Sequence, residues 1–509
     1  MNTILGELGK NEKFIQLDKQ IENKVSPIQI LGLSDVGMLQ IIGAINEFNK
    51  KPICIITYNE IQAKRLYEDI KYFTDKVVLF PKKEIVTYDY IAESKDLPYE
   101  RIEALNKIAS KKNLIIVTTI EAIQQKIPDK EIVYKNKLEF KIGGIYNLDE
   151  TKQKLIKLGY SRYDLIEGRG QFSVRGDILD ISITENTGIR IEFWGDEVDS
   201  IRNFNITSQR SINTLEKATI YPAHEYILQN SIEEVCSKIR KIDVNKEQLE
   251  IIEEDIEQIK AGNYISKIDK YIDCFYNNLV TLIEYLNNNY CIILDEERKI
   301  SNRADNILKD NENIIKTLID KQKIVPQAIE NINNYNDIKE QLEKRQIIYA
   351  EKEDNNTLNI EKYIFHYRQL NYYKSELESF IKDIKTWIKN KKKIYILVDT
   401  KEKAKKLEKI FQQEEIIYKY EEKLNQTIIA KNTESIVTIT LGNLSSGFEN
   451  IETNQIIISA NNLIDGEKRK KRIAHQAFKE GEKVVFADLK VGDYVVHRTY
   501  GIGIYIGVN

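Results

Sequence analysis

Residues 30–40 read ILGLSDVGMLQ, and the reading of this stretch decides the fold. Gly32 and Gly37 stand at the spacing of the glycines in a phosphate-binding loop, but Met38 and Leu39 follow where a lysine and a hydroxyl residue belong. Two glycines carry little weight alone in a chain holding 22 of them, so the assignment rests on their surroundings. IQIL at 28–31 has the character of a buried strand, and MLQIIGAINEF at 38–48 repeats apolar residues at helical spacing. In a working loop, backbone N–H groups cradle the phosphates, the lysine neutralises the terminal phosphate and the hydroxyl holds magnesium. A thioether and an isobutyl group do neither, and Asp35 adds a carboxylate where an anion would sit. The expectation is a strand-to-helix turn without ATP. ATP bound and hydrolysed here is the competing reading.

Outward from this turn, PICIIT at 52–57, KVVLFP at 76–81 and NLIIVTT at 113–119 alternate with the helical patterns NEIQAKRLYEDIKYF and YERIEALNKIAS. Such alternation predicts a doubly wound parallel sheet over 1–145. From 146 to 224, closely spaced strands with glycine turns, among them RGDILDISI and IRIEFWGDEVDSIRNFNI, predict an α+β insert with its own core. Residues 225–368 read as largely helical, as in SIEEVCSKIRKIDVNKEQLEIIEEDIEQI, with YCIILDEERK breaking in as a strand and acidic turn. A second, small α/β domain is expected over 369–465, from KKKIYILVDT at 391–400, KEKAKKLEKIFQQ, SIVTITLG at 435–442 and QIIISA at 455–460. The fold class is multidomain α/β.

A chain of 509 residues is too long for one core, and about three to five domains are expected. Its 76 Lys and Arg against 79 Asp and Glu give a net charge of -3, so any nucleic-acid contact must come from a local patch. Heavy use of Ile, Lys, Asn and Tyr points to nucleotide bias in the source genome and weakens propensity arguments. Cys54, Cys236, Cys274 and Cys291 form no CxxC pair, which argues against a zinc site or disulfide framework and for a reduced, cytoplasmic protein. His224, His366, His475 and His497 are scattered and suggest no ligand set. No apolar run approaches the roughly 20 residues that span a bilayer, and the start lacks a signal-peptide pattern, so no membrane contact is expected.

Within GEKRKKRIAHQAFKEGEKV at 466–484, Lys468, Arg469, Lys470, Lys471 and Arg472 form a continuous basic run. It reads as a solvated linker, with a DNA phosphate contact as the alternative. Residues 485–509 then alternate Val, Tyr and Ile between glycines, the pattern of a small twisted sheet. The pattern stops at Asn509 with no closing element, so an incomplete module is expected.

KVGDYVVHRTYGIGIYIG at 490–507 resembles the start of the RNA-polymerase-interacting module of the bacterial transcription-repair coupling factors (the Mfd family), which CarD-type regulators share. LGNLSSGFE at 441–449 and the basic linker match what precedes that module in the family. LGYSRYDLIEGRGQFSVRGDILDIS, IRIEFWGDEVDSIRNFN and SQRSINTLEKATIYPAHEY look like the domain the family shares with the excinuclease subunit UvrB, which docks on UvrA. LFPKKEIVTYDY and YERIEALNKI fit its amino-terminal domain. The resemblance covers nearly the whole chain, in order. It implies a RecA-like, UvrB-like first domain with a degenerate phosphate loop, continued by 225–368, and a small β-barrel-like domain beginning at 485. UvrB itself keeps a complete phosphate loop and lacks the polymerase module. ATP and magnesium belong to the family's carboxy-terminal DNA translocase motor, whose motifs are absent here, so no cofactor is expected in this segment, and double-stranded DNA would be held mainly by that motor. A helicase or UvrB-type excinuclease subunit with an active first domain is the alternative.

The resemblance further implies that Arg162, Phe172 and Arg175 lie on or beside the UvrA-facing surface. Arginine suits such a face because its planar fork holds a carboxylate bidentately. Locally, Arg175 and Asp177 flanking Gly176 have the look of an intradomain ion pair, and Phe172 of a core residue. Ser173 departs from UvrB, which tends to have a second arginine there. Asp196, Glu197 and Asp199 read as a solvated hairpin edge, with Glu197 and Asp199 sharing one face at strand spacing. LDEERK at 294–299 mimics the acidic strand end that holds magnesium in helicases, but without a lysine-bearing loop it reads as structural. Val495, Val496, Tyr500, Ile504 and Tyr505 form the visible part of the polymerase module, which in the family adds a strand edge to the RNA polymerase β subunit.

Overall fold

The structure, a computed structural model, describes residues 2–83, 97–110, 113–184, 186–223, 225, 231–260, 268–325, 327–354, 360–373, 376–424, 437–463, 494–497 and 501–504. It divides into two units, Met1–Leu463 and Ile464–Asn509.

The first unit is built on a sheet of seven parallel strands in the order Glu361–Ile364, Ile28–Leu31, Gln346–Glu351, Cys291–Asp295, Ile53–Thr57, Ile115–Thr119, Val77–Phe80. Strands buried on both faces need apolar runs, and the inner strands supply them, whereas the edge strand Glu361–Ile364 is largely exposed. Ile53, Ile55, Ile115, Val117 and Ile293 pack on one face with Leu39 and Ile42 of the helix Asp35–Asn49. Cys54, Ile56, Ile116, Ile292 and Leu294 pack on the other with Leu105 of Leu97–Ser110 and Ile300 of Glu297–Asp320. The sheet is therefore wound on both sides, as the alternation of strands and helices predicts.

The stretch 231–260 is two helices, Ile232–Ile239 and Lys246–Lys260. The break has a local cause: the Asn245 side chain accepts from the Gln248 N–H at 2.8 Å while the Gln248 side chain accepts from the Asn245 N–H at 2.9 Å, a reciprocal cap that starts a new helix.

The insert holds a six-stranded sheet in the order Ser211–Thr214, Glu197–Asn205, Thr187–Trp194, Ile178–Ser182, Gln171–Arg175, Ser161–Arg162, antiparallel except for the last pair. At its base Leu138–Lys141 pairs with Lys217–Ile220, so its own sheet structure begins ahead of residue 146. Phe172, Leu179, Ile189, Ile191, Phe193 and Ile201 fill its core. A second α/β sheet runs Tyr367–Gln369, Phe448–Asn450, Gln455–Ile458, Lys393–Val398, Val437–Leu441, Tyr418–Glu421. Phe380 of Leu377–Lys389 stacks on Phe411 of Lys401–Gln413 beside it.

In the second unit Tyr494–His497 pairs antiparallel with Gly501–Ile504, a two-stranded sheet.

Candidate functional site

Gly32 ends the first strand with φ +75°, and a Cβ there would stand 2.1 Å from the Phe365 carbonyl oxygen, so only glycine fits. Ser34 caps the next helix, its hydroxyl accepting from the Gly37 N–H at 3.1 Å. Asp35, the first helical residue, pairs with Arg65 and with Lys352 Nζ at 2.9 Å. Met38 is 4% exposed and Leu39 fully buried, both inside the apolar core. The ring of Tyr367, from the second α/β sheet, packs against Gly37, where a Cβ would meet it at 2.5 Å. Its hydroxyl donates to Gln40 Oε1 at 2.8 Å and accepts from Asn450 Nδ2 at 3.0 Å, while Gln40 Nε2 donates to Gln455 Oε1 at 2.9 Å. A buried polar network thus clamps the helix start against a neighbouring sheet.

The acidic strand ends are similarly engaged. Buried Asp295 accepts from Thr57 Oγ1 at 2.7 Å and Gln62 Nε2 at 3.1 Å, and burial pushes its carboxyl above the usual range. Glu351 accepts from the Glu297 N–H at 3.1 Å, and burial pushes it up to about 7. Among the described residues, no group of three or more His, Cys, Asp or Glu is placed to hold a metal ion.

On the insert, Arg162 is exposed on the edge strand, paired in register with Phe172. The Phe172 side chain is fully buried in the insert core, which corrects its placement on the UvrA-facing surface: strand alternation turns it inward. Arg175 is half exposed and bonds Asp180, not Asp177, with Nη2 at 2.8 Å from Oδ2. Arg190 holds the same buried carboxylate through two bonds, at 2.7 and 2.8 Å. Ser173 is buried and donates to the Asp164 carbonyl at 2.9 Å, so it belongs to the loop support. Asp196, Glu197 and Asp199 are all exposed around the hairpin turn. A β-bulge pairs Phe193 with Val198 but Glu192 with Ser200, leaving Asp199 as the extra residue and breaking the expected two-residue period there. The sequence reading passed over Trp194, which is 84% exposed. Its signal was available: Ile189, Ile191 and Phe193 point inward, so Trp194 points out.

Val495, Val496 and Ile504 lie in the strands of the second unit, with Val495 opposite Gly503 and Val496 opposite Ile502. Tyr500, Tyr505 and the run Lys468, Arg469, Lys470, Lys471, Arg472 lie outside the described residues.

The model of the UvrB interaction domain matches residues 138–226, and that of the CarD-like/TRCF RID domain matches 489–509. A transcription-repair-coupling factor of Bacillus subtilis is 26% identical over 100% of this chain and 44% of its own length. Proteins of the same name are 25% identical in Staphylococcus haemolyticus and in Staphylococcus aureus, covering 100% and 99% of this chain. The chain spans 44% of the length of these relatives. The two domain matches and the similarity along its whole length support reading the chain as an amino-terminal, UvrB-like part of a transcription-repair-coupling factor.

Proposed function

We propose that this part of the coupling factor is a docking scaffold that recruits the excision-repair protein UvrA to stalled RNA polymerase and, in the longer protein, restrains the translocase motor. The observation carrying this reading is the UvrB interaction domain at 138–226, with Arg162 and half-exposed Arg175 on its open sheet. A half-buried arginine oriented by a buried carboxylate is the kind of anchor that interfaces use. The UvrB-like first domain supports the scaffold by contact: Met38 and Leu39 serve its core, and Tyr367 covers the helix start. It takes no cofactor in this reading; ATP, magnesium and the principal grip on double-stranded DNA belong to the rest of the longer protein. The CarD-like/TRCF RID match at 489–509 supports a contact with the RNA polymerase β subunit through Val495, Val496, Tyr500, Ile504 and Tyr505. The basic run 468–472 is a candidate DNA phosphate contact.

Purified UvrA pulled down on the wild-type chain and on an Arg162→Ala/Arg175→Ala variant tests the assignment. Recovery is expected to fall at least about tenfold, the loss of two interface arginines. Unchanged recovery would remove both residues from the site.

A further inference from the structure

We propose that Trp194, flanked by Ile145 and Glu197, is a second anchor for UvrA on the sheet face that carries Arg175. This rests on the UvrA reading above. Three observations converge on it. Trp194 is 84% and Ile145 79% exposed, a large apolar surface with no partner side chain over it. Trp194 stands opposite Glu197, which itself bridges to Ile145, so the three form one row across the strands.

The row shares a face with Arg175. Along Thr187–Trp194 the inward residues are Ile189, Ile191 and Phe193, which leaves Arg190, Glu192 and Trp194 on the outer face. Arg175 is in register with Ile178, and Ile178 with Glu192, one outward position before Trp194. Two strand spacings across and two residues along give about 12 Å between the Trp194 and Arg175 positions, well inside one interface patch. At the far end this face is closed: Phe204 packs with Ile166 and Ile206, and Ser173 is tied to the loop at Asp164. The open end is the one bearing Trp194.

Charge says what the partner presents. Glu197 stands beside the indole, and Asp196 and Asp199 are exposed on the same hairpin. An acidic rim around an aromatic face is complementary to an apolar side chain bordered by lysine or arginine, with the cation over the ring. Arg175, by contrast, calls for an acidic group. The face thus carries two subsites of opposite preference, which fixes the orientation of a docked partner.

The test measures affinity of the chain for purified UvrA by biolayer interferometry, with melting temperature as the folding control. Trp194→Ala is expected to weaken binding at least about tenfold and Trp194→Phe by less than about threefold, with the melting temperature unmoved because the side chain is exposed. Glu197→Lys is expected to weaken binding more at low salt than at high salt. Wild-type affinity in Trp194→Ala alongside loss in Arg162→Ala/Arg175→Ala would overturn this inference and leave the UvrA reading standing. No binding by the wild-type chain would overturn both.

Discussion

Met38 sits where a phosphate-binding loop has its lysine, and its side chain lies in a closed apolar core at 4% exposure. Restoring the lysine therefore does not restore the chemistry. Met38→Lys places an ammonium among Ile and Leu side chains, and chemical denaturation is expected to show a loss of about 3 kcal/mol or more with no gain of ATP binding. Glu351 offers a second residue-scale test. The folded protein holds its proton up to about 7, against 4.5 for a free carboxyl, so between those values the fold binds the proton more tightly than the unfolded chain does. Stability is then lost as pH rises through that window. Glu351→Gln stays neutral, and its stability relative to wild type is expected to rise from pH 5 to pH 8 by up to about 3 kcal/mol. The strand-to-helix turn before Met38 and Leu39 was legible in the sequence because an apolar strand run is followed directly by apolar residues at helical spacing. Phe172 was misplaced because the family resemblance gives a segment, while the inward turn of one side chain depends on register.

At the scale of elements, five strands of the main sheet were legible because apolar runs such as ICIIT and IIVTT stand out between amphipathic helices, whereas Gln346–Glu351 and Glu361–Ile364 fall in a stretch that reads as largely helical. The division of 231–260 into two helices was not, because periodicity runs through the break and the cap pair Asn245 and Gln248 decides it. In the insert, one bulged residue, Asp199, shifts the face of everything beyond it, which strict alternation does not foresee. The same sheet depends on Asp180, which is 1% exposed and receives both Arg175 and Arg190. Asp180→Ala leaves two arginines without their carboxylate, and urea unfolding is expected to show a loss of about 2–4 kcal/mol. UvrA affinity should drop with it, since Arg175 loses the group that aims it.

Across the described part of the first unit, the seven-stranded sheet is joined to the second α/β sheet by polar bonds as well as apolar packing. Gln40, Tyr367, Asn450 and Gln455 form one buried network, and Asp69 accepts from the Ser445 N–H at 2.6 Å. Full satisfaction of such a network fixes the two sheets in one arrangement, which suits a scaffold that must present surfaces at set positions. No sequence pattern announces that contact, because Gln40 and Asp69 lie hundreds of residues from their partners. The same contact places Tyr367 over the helix start that a nucleotide would approach. Isothermal titration of the chain with ATP and magnesium tests this most directly: the account predicts no saturable binding below about 1 mM, and a magnesium-dependent dissociation constant in the micromolar range would contradict it.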